Sequence, residues 1–316
     1  MTQPVAPTIL RYPNFQYTVG SAKTPSMETL ALILILFSAF MHATWNALVK
    51  QSRDKTVFIW WMFVCAFGLL NLYMLLPGSP FPAMTPRFLI LAGGAAAFFV
   101  LYHWLTGKAY REGDLSVTYP LAQTSLLYVP IWGVLFLGET LSVAGTIGIL
   151  LMVAGVYTIQ LRRFRLDELL RPLRSLGNRS VQAALMAGFC YSFGAVIDKQ
   201  GVTSYAPYHF TYILMLFMLI YMSLNMLRPR YRGRALAELH HSRKLILYSG
   251  PVLLASFLAF RYGLQLSPIS YAVPLRQVSL LVGVLIGVLF LGESFGRMRL
   301  ASTSLILLGV VFIWYG

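Results

Sequence analysis

Apolar residues fall in runs of about 20 along nearly the whole chain, the length one helix needs to cross hydrocarbon. The runs do not alternate apolar with polar positions, so they are not the strands of a membrane β-barrel. They predict helices near 28–49, 56–76, 87–107, 115–137 and 141–161. After a basic stretch come helices near 180–200, 208–227, 244–265, 269–291 and 298–315. Short connections after the third, fourth, eighth and ninth helices predict adjacent antiparallel neighbours.

One pattern occurs twice. YPLAQTSLLYVPIWGVLFLGE (119–139) aligns without a gap on VPLRQVSLLVGVLIGVLFLGE (273–293), and 13 of the 20 positions from Pro120 to Glu139 are identical. Leu and Val match easily between apolar helices, but Pro, Gln, Ser, two Gly and Glu in register do not. The offset also pairs Ser116 with Ser270 and Gly155 with Gly309, and ALVKQ (47–51) corresponds loosely to VIDKQ (196–200). Each repeat holds an odd number of spans, so the two enter the membrane in opposite senses. The expected fold is an all-α polytopic membrane protein of ten transmembrane helices, as two inverted five-helix repeats. The expected units are an N-terminal arm (1–27), the first repeat (28–161), a basic amphipathic linker (162–179) and the second repeat (180–316).

Composition agrees: 58% of residues are hydrophobic, 11% charged, and mean hydropathy is +0.68. The formal charge of +15 suggests nucleic acid only until the basic residues are placed. Loops after odd-numbered helices hold 19 Lys and Arg and the opposite side four, the asymmetry that orients a membrane protein. It predicts the basic face in the cytoplasm and both termini outside, in a membrane such as the bacterial inner membrane. Residues 1–27 lack the apolar core of a signal peptide. In the linker, Leu166, Leu169, Leu170 and Leu173 sit among arginines at helical spacing, as in an interfacial helix attracted to anionic lipid, bent or ended by Pro172. Cys65 and Cys190 read as small core residues, and no cofactor or metal site is expected.

HATWNALVK (42–50), the paired P-L-x-Q-x-S-L-L and G-V-L-F-L-G-E segments, and the glycines of the fifth and tenth helices resemble the EamA-type branch of the drug/metabolite transporter superfamily. The resemblance runs from about Glu28 to the end. It implies alternating access and a central cavity lined by the first, third, fourth, sixth, eighth and ninth helices. It implies substrates such as amino acids, other metabolites, nucleotide-sugars, sugar phosphates or drugs. Well-known members are described with both termini cytoplasmic, the reverse of the charge bias here.

Two basic residues lie inside spans, where charge is costly and usually functional: Arg261 and Arg276. They flank the turn at Ser267 and Pro268, about 6–12 Å below one face, and so converge. Glu28, Glu112, Asp114, Glu139, Asp198 and Glu293 map to helix ends or loops, which leaves a substrate phosphate, phosphonate or carboxylate as the counter-ion. The bland alternative has Arg261 snorkelling to the interface and Arg276 binding backbone carbonyls. Further candidate lining residues are Tyr119 and Gln123, Tyr271 and Gln277, His42 and Asn46 at i, i+4, His103, Tyr191 and Tyr262. Pro120 and Pro274 are candidate hinges. Gln123 and Gln277 equally suit a hydrogen bond between helices. Glu139 and Glu293 read as caps of the helices that follow them or as neutralising interfacial charge.

The residues therefore point to a secondary-active or facilitative transporter of a small organic anion or zwitterion. The alternatives are a flippase for an anionic lipid or an exporter of cationic or neutral drugs. An intramembrane enzyme is disfavoured, since no HExxH, phosphate loop or paired midplane carboxylates occur. With no acid expected at mid-membrane, proton coupling would fall to His42 or His103. The expected partners are a small-molecule substrate and membrane lipid, not nucleic acid, with a homodimer left open.

Overall fold

The computed structural model describes residues 27–76, 84–159, 161, 174–231, 233–291 and 297–316. These form α1 (Thr29–Gln51), α2 (Lys55–Met74), α3 (Pro86–Glu112), α4 (Leu115–Ala122), α5 (Ser125–Leu137), α6 (Val143–Thr158), α7 (Arg179–Ser204), α8 (Pro207–Met226), α9 (Arg234–Gln265), α10 (Ile269–Arg276), α11 (Ser279–Leu291) and α12 (Arg297–Tyr315). Most of the N-terminal arm, the leucines of the linker and Glu293 lie outside the described residues. Eight spans are long and apolar enough to cross a membrane, and Val143–Thr158 and Ile269–Leu285 add two shorter ones. The expected ten-span, all-helical architecture stands.

Polar caps start the helices where the sequence leaves the apolar pattern. Thr85 Oγ1 accepts from Phe88 N (3.2 Å) with Pro86 in the first turn of α3, and Ser142 Oγ accepts from Gly145 N (2.8 Å) at α6. At the end of α5, Gly138 takes a left-handed conformation (φ 67°), and Glu139 N donates back to Gly133 O at 3.0 Å.

The fourth and ninth spans, expected as single helices, are each broken. At the first break Gln123 N bonds Pro120 O (3.2 Å) and Leu126 N bonds Gln123 O (3.0 Å); at the second, Gln277 N bonds Pro274 O (2.8 Å) and Leu280 N bonds Gln277 O (2.9 Å). Both stretches tighten to i→i−3 pairing for one turn, the geometry often found at hinges. Each proline stands three residues before the break, and the repeat register carries the whole device from one half to the other.

Packing follows the same two-fold logic. α3 lies along α7 as α9 lies along α1, α2 packs on α9 as α8 packs on α3, and α6 packs on α12. The broad interfaces thus join the two halves, and the helices linked by short loops touch much less than their connections suggest. In lipid, close approach of backbones decides which helices pair. A Cβ on Gly148 would stand 2.8 Å from Gly309 O, and one on Gly309 would stand 2.8 Å from Gly148 O, so this close approach of α6 and α12 requires glycine at both positions. Between α1 and α9, Ser38 Oγ donates to Ser256 O (2.8 Å) and Ser256 Oγ donates to Ser38 O (3.0 Å).

The face where α1 begins and α5 ends is tied across the halves. Glu139 does not cap α6, which has Ser142; its carboxylate accepts from Ile269 N (2.6 Å), Ser270 N (3.1 Å) and Ser270 Oγ (2.5 Å) at the start of α10. The positive end of α10 and two unpaired amides favour an anion there. Lys199 Nζ donates to Leu264 O (2.7 Å) and Ser267 O (2.8 Å), capping the end of α9.

Candidate substrate site

Arg276 is the last residue of α10, at the second helix break. The break ends the helix inside the membrane and presents the guanidinium to the space between α1, α3 and α7. Nη2 donates to His42 Nδ1 at 3.4 Å, Cζ lies 4.2 Å above the Phe260 ring, and the Tyr191 hydroxyl is beside the guanidinium. Its Nε is buried with no hydrogen-bond partner among the described residues. His42 is held edge-on by Trp45, with centroids 4.8 Å apart.

Arg261 is different. Its Nε donates to Asp198 Oδ1 at 2.9 Å, and both side chains are almost wholly buried. The expectation that Asp198 sits at a helix end is corrected. α7 runs to Ser204, not 200, so Asp198 lies about 9 Å inside the helix. Arg261 therefore has a carboxylate from the protein itself. Asp198 balances the Arg261 guanidinium, and one positive charge is left over on the Arg276 side.

Around this centre, Gln277 Nε2 donates to Gln123 Oε1 at 3.2 Å, joining the two helix breaks at equivalent positions. His103 on α3 is exposed although it feels the Arg276 charge, so it faces an accessible space within the bundle. Tyr102 adjoins His103 and Tyr191 (centroids 5.0 and 5.1 Å), and Tyr119 stacks on Tyr110 (6.1 Å). Asn46 Nδ2 donates to the His42 carbonyl (2.9 Å) and is exposed toward the basic face.

Arg276, His42, His103 and Tyr191 thus come together, with Arg261 and Asp198 behind them, and the Gln123–Gln277 bond follows Arg276 at the helix break. Tyr119 stands beside Gln123 on the basic side. Tyr271 lies apart, buried against the start of α6 with its hydroxyl accepting from Ser142 N at 3.1 Å. Tyr262 is 37% exposed on the outer surface, on the side of Tyr73 and Tyr208. Pro120 and Pro274 lie one turn before the breaks. Sequence reasoning missed Asp198, Phe260 and Tyr102. For Asp198 a signal existed: it is the acidic residue in VIDKQ where the first repeat has Val49.

The sequence profile of the EamA-like transporter family matches residues 29–161 and again 178–315. The chain belongs to this family. As an EamA-like transporter it is an integral membrane protein that carries small molecules, in a family of transporters and not of enzymes. No curated protein matches the sequence. A solved structure, titled only as the crystal structure of a protein, is similar to this EamA-like chain at 15% identity and a TM-score of 0.70. It covers 90% of this chain and 98% of that one, and shares the fold alone.

Proposed function

We propose that this EamA-like protein is a secondary-active or facilitative carrier for a small organic anion, or for a zwitterion with an anionic group. The observation that carries the reading is Arg276: a guanidinium inside the membrane, with a buried Nε and, among the described residues, no carboxylate of its own. A planar, always-charged fork matches carboxylate, phosphate or phosphonate oxygens bidentately. Gln123, Gln277 and Tyr191 supply neutral hydrogen-bonding groups for the rest of the molecule. The closure at Glu139 and Lys199, set against exposed His103 and Asn46, supports a form that takes substrate from the basic face. Exchange of that closure between the two inverted halves would expose the site to each side in turn. The charge bias supports a cytoplasmic basic face in a bacterial inner membrane.

A ligand that binds only the folded protein raises its thermal stability by mass action. Organic phosphates, phosphonates, carboxylates, amino acids and cationic drugs should therefore be screened against wild type and Arg276→Ala. The reading expects stabilisation by anions that disappears in the variant. Stabilisation by cations or neutral drugs, undiminished in Arg276→Ala, would return Arg276 to a structural role.

A further inference from the structure

His42 is where the site constrains its own protonation state. Arg276 Nη2 and His42 Nδ1 stand 3.4 Å apart. A guanidinium has donors and no acceptor, so Nδ1 must offer its lone pair. The imidazole in this state is neutral, with its proton on Nε2. An imidazolium would put an N–H against an N–H and a second positive charge beside the first. The titratable groups that act on His42 are Arg276 from α10, which carries the charge, and His103 from α3, neutral in this charge count. Farther back stand Tyr102 on α3, Tyr191 and Asp198 on α7, and Arg261 on α9, whose charge Asp198 balances. α11, which also packs on α1, carries no ionisable residue, and α2 adds no charge acting on His42.

An anion that engages Arg276 changes each of these conditions together. It takes over the guanidinium donors, frees Nδ1, and places negative charge beside the ring. We propose that His42 is the proton-binding residue of this carrier, taking one proton from water on the open face when an anion occupies Arg276, so that anion and proton travel together. Loaded in this way the site holds two positive charges beyond the Arg261–Asp198 pair. Its matched cargo is a doubly negative group, because the loaded centre is then neutral, as passage through a low-dielectric interior favours. The inference rests on the anion reading of Arg276 and adds to it the coupling ion and the charge of the cargo.

The test uses dianions whose charge is constant between pH 6 and 8: sulfate, oxalate and tartrate, with methanesulfonate as the monoanion. Apparent affinities come from thermal stabilisation of purified full-length protein at pH 6, 7 and 8. Wild type should bind the dianions about tenfold more tightly per pH unit lowered where one proton is taken up per anion, by linkage. Methanesulfonate should show a shallower slope. In His42→Gln, which keeps an acceptor but takes no proton, the slope should be flat. If that variant does not fold, proton uptake by wild type is read instead with a pH dye in weak buffer, and about one proton per bound dianion is expected. A flat slope and no proton uptake in wild type, with binding still lost in Arg276→Ala, overturns coupling and leaves the anion reading standing. A slope that persists in His42→Gln overturns the assignment to His42. If no probe stabilises wild type through Arg276, the anion reading fails and the coupling with it.

Discussion

Arg261 and Arg276 flank one turn, lie inside the same membrane and carry the same guanidinium, yet the fold treats them oppositely. Arg261 is 3% exposed, bonds Asp198 at 2.9 Å and has Phe257 at its side. Arg276 has an imidazole lone pair at 3.4 Å, a ring face and an Nε with no partner among the described residues. The first ties α7 to α9, and the second is left with a charge to satisfy. Among the described residues the fold thus supplies a carboxylate to one intramembrane arginine and not to the other.

The largest effect is expected at Arg261. Arg261→Ala leaves Asp198 buried and alone and should cost about 3–5 kcal/mol in thermal unfolding, with most of the loss restored by adding Asp198→Ala. An Arg261→Ala protein as stable as wild type would mean that the pair is no strut. Arg276→Ala should weaken anion binding by about ten- to a hundredfold, because a charge-assisted hydrogen bond is lost. Its stability without ligand should hold, and Arg276→Lys should recover part of the binding, since an ammonium lacks the planar fork. Asp198→Asn sharpens the contrast by opening Arg261 as well. Unliganded stability should fall while stabilisation by added dianion grows, measured in the same melts. Glu139→Ala, at the opposite end of α10 from Arg276, should cost about 1–2 kcal/mol, as other lost helix caps do, and leave the Arg276→Ala difference in binding intact. Gln277→Ala should cost about 0.5–1.5 kcal/mol, the value of one hydrogen bond.

The helices and the inverted repeat were legible because each rests on residue type in a fixed register. The Gln123–Gln277 bond was legible as an alternative, since equal residues at equal positions meet near a two-fold axis. Other features depend on partners far along the chain. Glu139 caps a helix 130 residues away, and nothing in its own hairpin marks that target. Asp198 was placed at a helix end because the apolar run stops there, whereas tertiary contacts carry α7 on to Ser204. The helix breaks were invisible because proline announces a bend while the tightened turn falls three residues later. The faces of Tyr262 and Tyr271 were not readable, since spans apolar on all sides carry little directional pattern.

The placement of Glu139 makes neither half self-sufficient. A five-helix half expressed alone would leave the first amides of α10 without their carboxylate, and α6 without the glycine-lined helix it lies against. Two fragments cut between Leu161 and Arg174 and produced in one cell should therefore find each other and form a complete, active unit. Either fragment by itself should be degraded. In that sense the single chain behaves as a heterodimer whose two subunits happen to share a peptide bond.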